Sequence, residues 1–183
     1  SRFVNTRFLT VAQNTGIPAN CMRGFEATQG EWIKFIGADD ILLENCIADN
    51  MKVVQQKKDI TFVISNLVEI DESGRIIRVS PENTGLNYFM QNQGSKKEQL
   101  KAYARWPAFL NTPTFFYKRE LLIDSSKLDC EIRIFEDTSV IFNIITKGVK
   151  IFYLKKPTVK YRIHNNAISR SEKFETKREK ESY

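Results

Sequence analysis

Apolar and polar positions along the chain alternate between two periods, one typical of strands and one of helices. Residues 32–36 and 59–70 are rich in β-branched and aromatic side chains and are bounded by turn residues, so both are predicted to be strands. Residues 43–54 repeat apolar positions at helical spacing and predict a helix with one face on the sheet. The chain is therefore expected to be an α/β domain, with helices covering a sheet.

The other elements predicted from the pattern continue this alternation. Strands are expected at 8–12, 75–79, 114–117, 149–154 and 158–163, and helices at 19–29, 95–105, 119–123 and 136–148. The first strand, helix and second strand predict a βαβ unit with a parallel pair, in which the 32–36 strand is central. The polar stretch at 80–94 is interpreted as either an insertion or a lid over an acceptor site.

Composition narrows the class of protein. The 183 residues are 42% hydrophobic and 27% charged, as in a soluble globular domain. Without a transmembrane stretch or a signal peptide in the sequence, a cytoplasmic protein is expected. Three cysteines, at positions 21, 46 and 130, have neither metal-ligand spacing nor the even number typical of disulfides. The net charge of +6 suits an anion such as a nucleotide diphosphate, or a membrane surface, and no nucleic-acid motif is present.

Two adjacent carboxylates, Asp39 and Asp40, follow the predicted strand at 32–36. Ligands bind at the carboxyl ends of strands in α/β sheets, and two carboxylates there suit a hard divalent cation that carries substrate phosphates. The alternative is that one of them caps the helix that follows, since Asp is a favoured N-cap residue.

Two further candidate sites lie late in the chain. Glu136 and Asp137 open a predicted helix, where acids are also favoured by the helix dipole alone. His164, the only histidine, follows Arg162 at the end of the last predicted strand. A lone histidine is more often structural, but an imidazole beside an arginine also suits a site for a metal and a diphosphate. Residues 170–183 are highly charged and are predicted to be a solvated, frayed helix.

The order of these motifs resembles that of the family 2 glycosyltransferases of GT-A fold. The matching residues are Asn14-x-Gly16, Gly24, the segment from Gly30 through Trp32 to Asp39-Asp40, Glu136-Asp137, and Tyr161-Arg162-x-His164 with Ser169 and Ser171. The resemblance covers nearly the whole chain. It implies a GT-A-like mixed, mainly parallel sheet flanked by helices, with residues 1–169 as a single catalytic domain and 170–183 as a charged C-terminal tail.

The resemblance also implies an inverting enzyme that moves a sugar from a nucleotide diphosphate to a hydroxyl of a carbohydrate or lipid-linked acceptor. The expected setting is bacterial cell-surface polysaccharide synthesis at the inner face of the membrane, with Mn²⁺ or Mg²⁺ as cofactor. The implied roles are catalytic base for Asp137 with Glu136 assisting it, metal ligand for Asp39 and His164, and donor contact for Asn14, Asp40 and Arg162. We expect Asp39, Asp137 and His164 to converge on one cleft.

The chain departs from the family pattern in two ways. Gly37 stands where the first acid of the Asp-x-Asp motif is expected, and Asp40 is the candidate to compensate for it. The family's opening strand, helix and second strand, which hold the base and ribose, have no counterpart, so an N-terminal truncation is expected. One sheet edge would then be open to a second copy in a homodimer.

Two functions of other classes fit the same residues. Paired acids and a histidine also suit a metal-dependent phosphohydrolase or nucleotidyltransferase, although the chain has no Gly-x-x-x-x-Gly-Lys loop. The other alternative is a non-catalytic binding module, in which the acids cap helices and the aromatic residues within 86–90 contact a partner.

Overall fold

A computed structural model describes residues 5–80, 95–105, 111–121 and 136–164, with the side chains of 136–140 outside that description. The helices are α1 (Ile17–Ala27), α2 (Cys46–Gln56), α3 (Lys96–Arg105) and α4 (Glu136–Thr146). The strands are β1 (Trp32–Lys34), β2 (Ile41–Leu42), β3 (Phe62–Ile70), β4 (Ile76–Val79), β5 (Phe115–Lys118) and β6 (Ile151–Arg162). A short 3₁₀ helix, Thr112–Thr114, precedes β5, and residues 119–121 are again helical.

The six strands form one mixed sheet in the order β1-β5-β3-β6-β2, with β4 paired to β3 outside this path. The central strand β3 is apolar along most of its length, and every residue in it except Glu69 is buried. The β3–β6 pair is parallel and the other described pairs are antiparallel. The expected mixed α/β fold with flanking helices is confirmed, and its described part contains less parallel pairing than expected.

The start of the chain differs from the predicted βαβ unit. Residues 8–12 are irregular, and Phe8 is 87% exposed, so the strand predicted there is wrong. The strand at 32–36 was expected at the centre, but β1 lies at one end of the strand order and pairs antiparallel with β5. The apolar pattern identified β1 as a strand correctly. The strand beside β1 in the sheet is β5, however, and β5 lies far along the chain, so the local pattern could not identify it.

Most later elements agree with the sequence pattern. The hairpin of β3 and β4 is confirmed, and the positive φ of Gly74, 85°, accommodates its turn. The two strands predicted at 149–154 and 158–163 form the single strand β6. Its register against β3 shifts on both sides of the pair Asn66–Pro157, because proline cannot donate to the ladder and is accommodated at an irregularity.

Helices cover both faces of the sheet. On one face, apolar residues of α3 and α4 such as Tyr103, Ile141 and Ile145 pack against β3 and β5, with Phe25 of α1 beside them. On the other face, Val54 of α2 packs with Val63 and its neighbours. None of the described helices is long and apolar enough to cross a membrane. The polar stretch within 81–94, Cys130 and the tail from 165 onward, including Ser169, Ser171 and the domain boundary at 169, lie outside the described residues.

Candidate functional site

The acidic segment, which we define as residues 37–40, connects β1 to the short strand β2. Strand β2 pairs antiparallel with the end of β6, where Ile41 lies opposite Lys160. Helix α2 begins only at Cys46, and Asn45 occupies its N-cap position. The helix-cap alternative for Asp39 and Asp40 is therefore wrong, because a strand separates them from the helix.

The side chains of Asp39 and His164 meet although they lie 125 residues apart in sequence. The Asp39 Oδ2 atom is 3.0 Å from His164 Nε2. Strand β6 ends just before His164, and its antiparallel pairing with β2 places the acidic segment alongside. The Asp39 side chain is 51% exposed and that of His164 22%, so the pair is accessible from solvent. The structure thus brings together both residues expected to bind a metal.

The Asp40 carboxylate faces the backbone of β6. Its Oδ1 accepts a hydrogen bond of 2.9 Å from the backbone N–H of Arg162. Partial burial raises the pKa of the Asp40 carboxyl above its ordinary value, and the N–H of Arg162 acts in the opposite direction. One carboxylate oxygen of Asp40, a residue expected to contact the sugar donor, therefore already accepts a hydrogen bond within the protein.

The Arg162 guanidinium links the acidic segment to the turn between β3 and β4. Its Nε donates to the Asp39 carbonyl at 2.8 Å. Its Nη1 donates to the carbonyls of Asp71 and Glu72, at 2.9 and 2.8 Å. The interpretation of Arg162 as a donor contact did not anticipate these backbone partners.

Gly37 lies directly behind the two carboxylates. A Cβ atom at this position would stand 2.9 Å from Asp39 Oδ1 and 3.1 Å from Asp40 Oδ2, both closer than ordinary contact. The carboxylates of the acidic segment thus fill the space that a side chain at position 37 would enter. This packing is consistent with the departure from the family's Asp-x-Asp motif at Gly37.

Lys34, three residues before the acidic segment, is a buried charged residue that the sequence interpretation missed. It is the last residue of β1, and its Nζ donates to the Pro113 carbonyl at 2.6 Å. Burial lowers the pKa of Lys34 from 10.5 to about 8. The signal available in the sequence was a single lysine inside the apolar run at 32–36.

For three other expected site residues, the described part of the structure shows no contact with Asp39 or His164. The Asn14 Oδ1 atom accepts a hydrogen bond of 2.9 Å from the backbone N–H of Gly16, in the turn before α1. Glu136 and Asp137 are the first residues of α4, as expected, but their side chains lie outside the described residues. The expected convergence of Asp137 with Asp39 and His164 stays a prediction.

Asp39 and His164 supply one carboxylate and one imidazole that a divalent cation could share. Within the described ranges, no group of three or more His, Cys, Asp or Glu side chains is placed to hold a metal. A cation bound to this pair would therefore complete its shell with water or substrate oxygens. The Asp39 carboxylate fits Mg²⁺ or Mn²⁺, which bind proteins through carboxylates plus substrate oxygens, and the His164 imidazole is a common ligand of divalent metals in general.

Comparisons with known proteins found a matching family model, a curated relative and a solved structure. The model of glycosyl transferase family 2 matches residues 2–125. A protein of Methanocaldococcus jannaschii named "Uncharacterized glycosyltransferase MJ1057" is 25% identical over 169 residues, which cover 91% of this chain and 54% of that protein. The chain thus spans about half the length of the curated relative it matches. A solved structure titled "Crystal structure of S. aureus TarS 1-349" matches with 17% identity and a TM-score of 0.49, over 83% of this chain and 42% of that one.

Proposed function

Because the chain belongs to glycosyl transferase family 2, we propose that the whole protein transfers a sugar from a nucleotide diphosphate to a hydroxyl of a carbohydrate or lipid-linked acceptor. The observation that carries the proposal is the contact of Asp39 with His164, which joins two motifs from distant parts of the chain. We place the reaction in cell-surface polysaccharide synthesis, at the inner face of the membrane. A homodimer, paired through an open sheet edge, is part of the same proposal.

Asp39 and His164 are the proposed ligands of a divalent cation, Mn²⁺ or Mg²⁺. When bound, such an ion neutralises the charge that grows on the departing nucleotide diphosphate. The chain's own contribution is to hold the carboxylate and the imidazole 3.0 Å apart at an exposed position, where a diphosphate can reach both.

Asp137 is the proposed general base, and Glu136 assists it. Both residues open α4, and the dipole at a helix N-terminus favours the ionised carboxylate. An ionised carboxylate is the state that can take the proton of the acceptor hydroxyl as the new bond forms, which in a single displacement inverts the anomeric configuration. Asn14 is a proposed donor contact. Asp40 and Arg162, which the sequence also predicted to contact the donor, already have hydrogen-bond partners within the protein.

Separating metal binding from proton transfer tests this assignment. In the whole protein, Asp39→Asn and His164→Gln should weaken the Mn²⁺-dependent binding of nucleotide diphosphates, measured by isothermal titration calorimetry. Asp137→Asn should keep that binding and lose about 10²–10⁴-fold in transfer rate. Asp49→Asn is the matched control, because this carboxylate lies on α2 and pairs with Lys156. Equal loss of donor affinity in the Asp39 and Asp137 variants would contradict the division of roles.

Nucleotide release and titration calorimetry on the whole protein test the two alternative functions. A phosphohydrolase would release nucleotide at the same rate with and without an acceptor, whereas a transferase should need the acceptor for full rate. A binding module would give no Mn²⁺-dependent heat with any nucleotide diphosphate. Either result would replace the transferase proposal.

A further inference from the structure

The hydrogen bonds of Arg162 are directed at the protein itself. Nε donates to the Asp39 carbonyl, and Nη1 donates to the carbonyls of Asp71 and Glu72. An arginine binds a diphosphate most strongly with two adjacent nitrogens, through either the Nε–Nη2 or the Nη1–Nη2 edge. Both edges of Arg162 already have one nitrogen engaged. The Arg162 guanidinium is therefore poorly arranged for a bidentate contact with a diphosphate. It is well arranged to fix the backbone carbonyls that it contacts.

We propose that Asp39, Asp40 and Arg162 form a clasp that fixes the Asp39 carboxylate against His164, so that Arg162 and Asp40 are positioning residues. The proposal rests on the proposed function, because it takes Asp39 and His164 to be metal ligands. It replaces the expectation that Asp40 and Arg162 contact the donor directly.

The clasp is reciprocal between two segments. The end of β6 gives its backbone N–H at Arg162 to the Asp40 carboxylate, at 2.9 Å. The acidic segment gives the Asp39 carbonyl to Arg162 Nε, at 2.8 Å. Both contacts lie immediately after the Asp39 Cα, one at its own carbonyl and one at the side chain of the next residue. They limit how far its carboxylate can move from His164, which lies two residues beyond Arg162.

The turn between β3 and β4 anchors the clasp to the rest of the sheet. Its carbonyls at Asp71 and Glu72 receive Nη1 of Arg162. The turn is itself fixed, because Asp71 Oδ1 accepts hydrogen bonds from Ser73 Oγ at 2.7 Å and from the Arg75 backbone N–H at 2.9 Å. Groups that orient metal ligands in this way typically change metal affinity or activity by about 10–100-fold when they are removed.

Variants at the two clasp residues separate positioning from direct binding. Arg162→Lys keeps the positive charge but loses the planar fork, so it cannot reach both segments at once. Asp40→Asn keeps an acceptor oxygen for the Arg162 N–H, whereas Asp40→Ala removes it. Arg78→Lys is the matched control, since Arg78 lies on β4 and pairs with the Glu69 side chain at the surface.

The first measurement uses Mn²⁺ alone and observes the imidazole NMR signal of His164 in the whole protein, assigned by its loss in His164→Gln. Paramagnetic Mn²⁺ broadens the signal of a nearby imidazole. In Arg162→Lys and Asp40→Ala, the Mn²⁺ concentration for half broadening should rise about tenfold. In Asp40→Asn and Arg78→Lys it should stay within about twofold of wild type. The unfolding midpoint of each variant checks that it is folded.

The second measurement is the affinity for inorganic pyrophosphate in the presence of EDTA. Arg162→Lys should change this affinity less than twofold. The clasp is wrong if Arg162→Lys weakens pyrophosphate binding and leaves the Mn²⁺ titration unchanged. It is also wrong if Asp40→Asn is as damaging as Asp40→Ala, because the carboxylate charge itself would then be needed.

Failure of the proposed function would look different. If Mn²⁺ does not broaden the wild-type His164 signal, or if Asp39→Asn leaves the broadening unchanged, the metal-ligand assignment fails. The clasp is then tested without metal, by the position of the His164 signal. Asp39→Asn should shift that signal, and Arg162→Lys should shift it in the same direction. An unshifted signal in Arg162→Lys would overturn the clasp.

Discussion

Replacing Lys34 by Met should stabilise the protein at pH 7 and have almost no effect at pH 10. The physical reason is desolvation: the amine is largely buried at the end of β1, and burial lowers its pKa from 10.5 to about 8. At pH 7 the side chain is nevertheless charged in both the folded and the unfolded protein. Folding therefore has to bury a charge, with the Pro113 carbonyl as its hydrogen-bond partner.

The magnitude follows from the two pKa values. The folded and unfolded pKa values of Lys34 differ by about 2.5, and a pKa difference of one corresponds to about 1.4 kcal/mol. The buried charge therefore costs ~3 kcal/mol at pH 7. Loss of the hydrogen bond to Pro113 costs the Met variant about 1 kcal/mol in return. The net gain is about 2 kcal/mol, or about 4–8 °C in Tm for a domain of this size.

The pH dependence has a definite sign. Because the folded pKa of Lys34 lies below the unfolded one, the unfolded chain binds more protons between pH 8 and 10.5. The stability of the wild type therefore rises through this window relative to the Met variant. By pH 10 the remaining cost of the buried charge is below about 1 kcal/mol and is offset by the hydrogen bond to Pro113.

Urea denaturation of both proteins at pH 7 and pH 10 provides the test. Lys52→Met, at an exposed position on α2, is the control and should stay within about 0.5 kcal/mol of wild type at both pH values. A destabilised Lys34→Met protein at pH 7 would refute the desolvation argument, as would a benefit that persists at pH 10. A stable but inactive variant would instead assign Lys34 to the site.

Two further predictions concern local features. Ser95→Ala should cost about 1 kcal/mol of stability, since Ser95 Oγ accepts the Glu98 backbone N–H at the start of α3, and Ser95→Asp should restore most of it in thermal unfolding. Gly37→Ala should weaken Mn²⁺ binding with little change in Tm, because its new Cβ would press on the Asp39 carboxylate. Gly24→Ala in α1, with open space around its Cβ, is the control for the Mn²⁺ titration, and equal losses in both would contradict the steric argument.

Much of the secondary structure could be predicted because its signals are local. Strand β3 is a long β-branched and aromatic run, and the sequence places it correctly. Helix α3 starts at a capping serine followed three residues later by glutamate, and both the helix and the cap contact are present. Such signals need no knowledge of the rest of the fold.

The position of β1 could not be predicted in the same way. A short apolar run fits an edge strand as well as a central one, since both can bury one face. In the structure β1 buries Ile33 and stacks Trp32 on Phe116, at a ring distance of 5.2 Å, while its neighbour is β5 rather than a strand before it. Strand order is a property of pairing between distant segments.

The site was partly predictable for a related reason. Asp39 and His164 have chemically distinctive side chains at matching motif positions, and they do meet. The partners of Arg162, in contrast, are backbone carbonyls, including those of Asp71 and Glu72. Every residue has a carbonyl, so no signal in the sequence could have identified the carbonyls of Asp39, Asp71 and Glu72 as the partners of Arg162.

The placement of the acidic segment depends on hydrogen bonds more than on burial. Strand β2, which follows it, leaves Ile41 43% and Leu42 37% exposed, so the hydrophobic core contributes little to holding it. What fixes it is its pairing with β6, the bond from the Leu43 N–H to the Thr158 carbonyl at 2.9 Å, and the contacts of Arg162. Segments of this kind can open locally at a lower free energy than global unfolding. A substitution there can therefore separate Asp39 from His164 without lowering the Tm, and only measurements made at the site itself would detect it.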